Sequence, residues 1–357
     1  MALRDWADVE YLPLLSLRPA EMRALEELPN LTKDRLLPVI HLRPWTTSHR
    51  LENATGRITG AYGDRPVIIA MGEREPSKER QVHAELEVLR GHANGFHEWC
   101  SLFERNPNYI PAIQFSPEVG QEEAQIARLF GMDRGLVVIV EKPAFPAIEV
   151  IAQRVGDRSD GGRGVCFIID FAVAGRDHLE VAARASGYID VFRRHAPAAH
   201  VAVSASSFPD SFVGKQEQPI YERRLFNILP ARAGLIYSDR GSAKIERQMG
   251  GGGLPAPRID YPMAAEWKFY RCDDGTTGFD GYQEQAKVLM ETEEEGIWNP
   301  RLRVWGTQMI ERTAAGDTSA IGSPQKATAA RINLHLQRQT FYDSPGEAED
   351  TDEDWSG

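Results

Sequence analysis

Leu136-Val137-Val138-Ile139-Val140, closing on Glu141-Lys142-Pro143, is the stretch that decides how this chain folds. Its aliphatic side chains run on without a polar interruption. A strand with one face in water alternates between apolar and polar residues. An unbroken run of this length implies a strand covered on both faces, as in a parallel sheet flanked by helices. The same pattern recurs outward from it. Downstream, residues 164–169 end at Asp170, 200–203 at Ser204-Ala205-Ser206, and 234–237 at Ser238-Asp239-Arg240. Upstream, residues 109–115 end at Ser116-Pro117, 66–71 at Gly72-Glu73, and 36–42 supply the first run. A last run, 262–270, contains Glu266-Trp267-Lys268.

Successive runs start roughly 25 to 45 residues apart, which leaves room for a crossover helix each time. Helical apolar spacing fills several gaps, as in 77–89, 121–130, 146–155 and 178–195. The expectation is therefore an α/β fold, a TIM-barrel-like (β/α)8 barrel over residues 36–272. An open doubly wound sheet is the rival, and no GxGxxG after the first run supports its dinucleotide-binding form. Residues 1–35 read as an N-terminal extension with a helix. Residues 273–343 read as a C-terminal α+β appendix packed on the barrel, with helices at 282–291 and 305–313. Residues 331–336 alternate polar and apolar, as a half-exposed strand would. The acid-rich tail, 344–357, reads as disordered.

The chain has 357 residues and a formal net charge of -11, a field that opposes non-specific duplex binding. No helix-turn-helix or RNA-binding signature offsets it, so direct nucleic-acid binding has no strong support. Cys100, Cys166 and Cys272 lie far apart with no CxxC pair, which argues against a disulfide framework or a structural zinc and fits a reducing compartment. The start of the chain lacks the apolar core of a signal peptide, and no apolar stretch approaches the roughly 18 residues of a membrane span. A cytoplasmic protein is expected. No cofactor is implied. The glycine run 250–253 leads towards a strand, whereas a phosphate-cradling loop opens into a helix, so it reads as a plain loop.

The opening Tyr11-Leu12-Pro13-Leu14-Leu15-Ser16-Leu17-Arg18-Pro19-Ala20-Glu21, followed by Ala24-Leu25 and by 34–40, is distinctive. With Asp170-Phe171, Ser206-Ser207-Phe208-Pro209, Tyr237-Ser238-Asp239, Trp267, Trp305-Gly306 and Asn333-Leu334-His335, it resembles the beta family, a group named after a bacteriophage protein and found also in bacteria. The resemblance runs from about Tyr11 to Gln339. It implies a barrel-like fold and a phage or antiphage context, and it supplies no established activity. Thr307 stands where an acidic residue is more typical, and Leu334 where the first of two histidines is expected.

Barrel active sites lie at the C-terminal ends of the strands. That rule selects His41, Glu73, Gln114, Glu141, Lys142, Asp170, Ser204, Ser206, Asp239, Arg240, Glu266 and Lys268. Glu141, Asp170, Asp239 and Glu266 are the candidate catalytic carboxylates, able to hold a divalent metal or to act as general acid and base. Lys142, Ser204, Ser206, Arg240 and Lys268 are the candidate ligand-binding groups, with Arg240 and Lys268 suited to an anion. No HExxH or other metal-ligand spacing stands out. The plainer alternative is a polar network that closes the barrel mouth. Two functions follow. One is a component of a phage-defence or phage-linked system that acts mainly through a protein partner. The other is a barrel hydrolase or lyase acting on a phosphate-bearing or nucleotide-like small molecule.

Overall fold

The computed structural model describes residues 3–76, 80–230, 234–241, 255–272, 275–349 and 351. The expected loop at 250–253 and the acidic end of the tail, 352–357, lie outside them. Two compact units share the chain: Met1–Arg18, Leu36–Ser206 and Tyr221–Arg240 form the first; Pro19–Arg35, Ser207–Ile220 and Gly241–Gly357 form the second.

The first unit is a barrel. Its parallel strands are β1 (Tyr11–Ser16), β2 (Val39–Leu42), β3 (Val67–Met71), β4 (Tyr109–Pro111), β5 (Leu136–Glu141), β6 (Val165–Val173) and β7 (His200–Ser206); β8 (Glu217–Pro219) belongs to another sheet, and β9 (Leu235–Asp239) completes the ring. Hydrogen-bonded order runs β4-β3-β2-β1-β9-β7-β6-β5. Only the β4–β5 seam is left, and there Ala112 bridges Val137 while the Ile113 amide donates to the Val137 carbonyl at 2.9 Å. This is the TIM-barrel-like α/β fold that the apolar runs imply.

Both strand faces are apolar because both are buried. Leu12, Leu14, Val39, Ile68, Ile110, Val137, Cys166, Ile168, Ala202 and Ile236 fill the lumen. The alternate residues meet the surrounding helices, as where Phe167 stacks on Phe192 of helix His178–His195 with ring centres 4.1 Å apart. At the N-terminal end Trp6 and Val9 join the lumen cluster, and the Trp6 indole donates to the Gly164 carbonyl at 3.0 Å. Cys100, Cys166 and Cys272 are all buried.

One strand assignment needs correction. Residues 262–270 are not a barrel strand, and residues 11–16, expected in an N-terminal extension, are. Pro13 carries no amide hydrogen, which disguises β1 as a non-strand, yet Pro13 stands opposite Asp239 in a regular parallel pairing. The later residues form β10 (Arg258–Pro262) and β11 (Glu266–Arg271), which with β8 make an antiparallel sheet in the order β10-β11-β8. On β11 Trp267 and Phe269 are buried, while Glu266 and Lys268 are only partly so. That alternation marks a one-sided antiparallel strand.

The second unit also holds the helices Pro19–Glu26, Asn30–Arg35, Gly278–Met290, Trp305–Ala314 and Pro324–Thr340. The expected strand at 331–336 lies inside the last helix. Ser323 caps it, accepting from the Lys326 amide, and Pro324 opens it. Its polar residues mimic a strand because the helix is buried around most of its circumference from residue 329 on, where several of them meet partners on different elements. Arg331 pairs with Asp260 at 3.0 Å, and Gln339 donates to the Ala264 carbonyl at 3.1 Å. Gln337 accepts from Thr32 at 2.6 Å and donates to Ala348 at 2.9 Å. Asn333 accepts from the Gly306 amide at 2.9 Å and donates to the Ala24 carbonyl at 3.0 Å. Residues 344–349, expected to be disordered, are placed against this unit: Glu347 pairs with Arg35, and Ala348 is buried.

Gly306 leaves no room for a side chain, since a methyl there would meet Leu334 Cγ at 2.6 Å and the Ala330 carbonyl at 2.8 Å. Gly306→Ala is expected to cost about 1 to 3 kcal/mol. Asn333→Ala, which orphans two buried backbone groups, is expected to cost about 2 to 4 kcal/mol. Urea unfolding of both variants checks this, and unchanged midpoints would contradict the packing described.

Candidate active site at the barrel mouth

Side chains on a strand alternate between lumen and helix layer, so the lumen residues fix the direction of every neighbour. Val39 points inward, hence so does His41; Val137 and Ile139 place Glu141 inward; Ile168 places Asp170; Ala202 places Ser204 and Ser206; Ile236 places Ser238 and Arg240. These residues ring the C-terminal ends of their strands, above the packed lumen.

Arg240 organises the ring. One guanidinium nitrogen binds the Asp170 carboxylate and lies 3.7 Å from Glu141. Asp170 and Glu141 are direct partners in the β5–β6 register. Asp170, 1% exposed, also accepts from the Ala172 amide at 2.8 Å. Ala172 sits in the left-handed region at φ 62°, where β6 loses register with β7. That bulge turns a backbone N–H onto the carboxylate. The Arg240 Nε and the Ser204 Oγ, Ser204 being Asp170's register partner on β7, are buried with no hydrogen-bond partner among the described residues.

Two groups on this ring titrate abnormally. Burial pushes the Glu141 carboxyl above the ordinary range, Asp170 adds to this, and Arg240 works against it. The Glu141 side chain is 53% exposed, so the group can exchange protons with solvent. Burial, then the nearby Arg240, and to a smaller degree Arg43, lower His41 to about 3. Its Nδ1 lies 3.2 Å from the Leu15 carbonyl, which assigns the proton to Nδ1 and leaves Nε2 an acceptor. Arg43, itself buried, bridges Glu73 at 3.2 Å and Glu75 at 3.4 Å.

The structure divides the residues selected from sequence. Glu141, Asp170, Ser204 and Arg240 come together on the lumen side, joined by His41. Ser206 points inward one step further along β7, and Lys142 is exposed at the start of the turn Lys142–Ala147. Asp239 is not in the mouth. It points outward, fully buried, and accepts from Tyr11 at 2.8 Å and Tyr237 at 2.9 Å. Burial and this carboxylate hold both phenols well above their ordinary range, and Arg223 lies over the Tyr237 ring at 3.3 Å. Gln114 is likewise structural, in a reciprocal backbone exchange with Gln125. Glu266 and Lys268 stand on β11 of the second unit, 3.1 Å apart, with Lys268 also held by Glu217. The sequence signal of His41 is its parity with Val39 on β2. Among the described residues no group of three or more His, Cys, Asp or Glu side chains is arranged to hold a metal ion.

The fold and this ring define the class: a TIM-type barrel with polar and charged side chains at the C-terminal ends of its strands. The chain belongs to the Beta protein family, whose model matches residues 11–341. It is 28% identical over 338 residues to a protein named Protein beta from Enterobacteria phage P4, covering 92% of each chain. Among the described residues no helix is long and apolar enough to cross a membrane.

Asp239→Asn is expected to lower stability by about 2 to 3 kcal/mol, through loss of charge-assisted bonds to two buried phenols, and to leave ligand binding at the mouth unchanged. Calorimetry alongside a binding titration separates the two effects. His41 predicts a pH effect of definite sign. Its folded pKa is depressed, so its stabilising contribution is complete above the unfolded value near 6.5 and is lost as pH falls towards about 3. Relative to His41→Gln, the wild type should lose about 2 kcal/mol between pH 7 and pH 5. Equal losses in the two proteins would show that His41 titrates normally.

Proposed function

We propose that the protein is a barrel hydrolase or lyase acting on a phosphate-bearing or nucleotide-like small molecule in a phage-linked setting. The carrying observation is that two buried donors without partners among the described residues, Arg240 Nε and Ser204 Oγ, share one ring with a carboxyl whose proton is held beyond its usual range. Buried polar groups in native proteins are nearly always satisfied, so orphans at a strand-end mouth suit a ligand's oxygen atoms. A carboxyl with a raised pKa suits a general acid near neutral pH. Asp170 touches Arg240 rather than the open mouth, so it serves to position the guanidinium. Glu141 takes the acid role.

A second reading, a phage-defence component acting through a protein partner in the cytoplasm, draws support from two exposed apolar residues. Val173 and Leu179 follow Asp170 in the β6 segment and the start of the next helix, 58% and 65% exposed. The two readings separate experimentally. With a mixture of nucleotides and sugar phosphates followed by mass spectrometry, wild type should deplete at least one compound. Glu141→Gln should slow that depletion by about a hundredfold or more while keeping the wild-type melting temperature. Wild-type rates in Glu141→Gln and Asp170→Ala would reject the enzyme. Loss of partner capture in a Leu179→Asp variant that keeps full turnover would favour the interaction reading.

A further inference from the structure

The polar lining of the mouth specifies more than an enzyme site. His41 Nε2 offers a lone pair, because Nδ1 is committed to the Leu15 carbonyl. Glu141 offers a carboxyl. Arg240 Nε and Ser204 Oγ offer hydrogens with no partner among the described residues. A ligand complementary to this set must both donate and accept at closely spaced atoms. Neighbouring hydroxyl groups do this; a phosphate at neutral pH mainly accepts.

Charge leads the same way. Around the Glu141 carboxyl, Asp170 and Glu73 are set against the guanidinium groups of Arg240 and Arg43, and the His41 imidazole beside Arg240 is neutral. A phosphate seated directly among them would meet as much carboxylate as guanidinium, and the Arg240 guanidinium is already engaged by Asp170 and Glu141. A phosphate-bearing compound is therefore expected to present its uncharged portion to the mouth.

The chemistry of the pair completes the case. Glu141 and Asp170 sit side by side on neighbouring strands, with one guanidinium nitrogen between them. Asp170 is pinned by Arg240 and the bulge amide, while Glu141 is free to gain and lose a proton. A carboxyl that can give and regain a proton, beside groups that bind hydroxyls, suits acid-assisted cleavage of a glycosidic bond.

We infer that the mouth seats a ribose-like polyhydroxylated ring and that the bond broken is its glycosidic bond, an inference that rests on the hydrolase reading above. The electron pair of the glycosidic bond leaves with the departing group, which takes the Glu141 proton. The sugar carbon, now cationic, is attacked by water, and the water's proton returns to Glu141. The sum is glycoside plus water giving free sugar and protonated leaving group, with no oxidation or reduction.

The test uses the full chain with adenosine, cytidine, guanosine and uridine 5′-monophosphates, their 2′,3′-dideoxy analogues, and inorganic phosphate. Saturation-transfer NMR on Glu141→Gln measures binding, and chromatography of wild-type reactions measures products. At least one ribonucleotide should bind, with its dideoxy analogue weaker by about tenfold or more, since two hydroxyl contacts to buried groups are lost. Wild type should release the free base with ribose 5-phosphate, and Glu141→Gln should release it about a hundredfold more slowly. Ser204→Ala should narrow the gap between each ribonucleotide and its dideoxy analogue. Hydroxyl-independent binding, or release of phosphate with the nucleoside intact, would overturn this inference and leave the hydrolase reading standing. Absence of both binding and turnover for every ribonucleotide would overturn this inference, and if the wider metabolite mixture also shows no depletion, the hydrolase reading falls too.

Discussion

Register governs everything at the mouth. A parallel strand that slips by one residue turns its whole set of side chains over, lumen to helix layer. Here each strand is locked to two neighbours, and the Ala112–Val137 bridge closes the circle, so no strand can slip alone. That closure is why Asp170, Ser204 and Arg240 face one another. It is also why Asp239, a single position from Arg240, faces the opposite way into a pair of tyrosines. The packed lumen below the ring adds the second ingredient. With little water on that side, the Arg240–Asp170 pair is poorly screened, and a protonated imidazole at His41 would have to sit beside that guanidinium in a poorly solvated place.

The second unit solves a different problem. Its longest helix is buried around most of its circumference but carries Arg331, Asn333, His335, Gln337 and Gln339. Such a helix is costly to bury unless its polar atoms are met one by one. Arg331 meets Asp260 and lies over Phe208 at 3.8 Å; His335 stacks on Trp267 with ring centres 5.0 Å apart. Trp305-Gly306, Ser207-Phe208, Trp267 and Asn333-Leu334-His335, which carry much of the family resemblance, thus hold this unit together. In this chain they are packing elements, and Thr307 and Leu334 lie among them. Thr307 donates to the Leu302 carbonyl, and Leu334 packs against Gly306.

Much of the barrel was legible because a strand buried on both faces leaves an apolar run that little else produces. Helix 178–195 was legible to the residue from its spacing. What misled was local. Pro13 hid the first strand, and β11 passed for the eighth because Trp267 and Phe269 supply apolar bulk without an unbroken run. Residues 331–336 imitated a strand because partners on several elements suit polar residues two apart as well as a water-facing edge does. At the candidate site, strand ends located the ring, but direction depends on lumen packing. Sequence alone therefore grouped Asp239 with Asp170 and brought in Glu266 and Lys268 from a different sheet. The atoms of Ser204 and Arg240 that lack partners among the described residues leave no trace in a sequence.

The second unit is discontinuous, and this bears on how the protein is made. The Ala24 carbonyl is met by Asn333, 309 residues later. At roughly 5 to 20 residues per second, helix Pro19–Glu26 waits on the order of 15 to 60 seconds at the ribosome for its partner. β1 waits nearly as long for β9, with only β2 beside it in the meantime. Throughout that interval an apolar strand edge and the buried face of a helix are both uncovered, which are the surfaces that chaperones hold and proteases read. A message broken before the codons of helix Pro324–Thr340 would therefore yield a chain whose earliest elements never find their cover, and disposal rather than partial function is the expected fate.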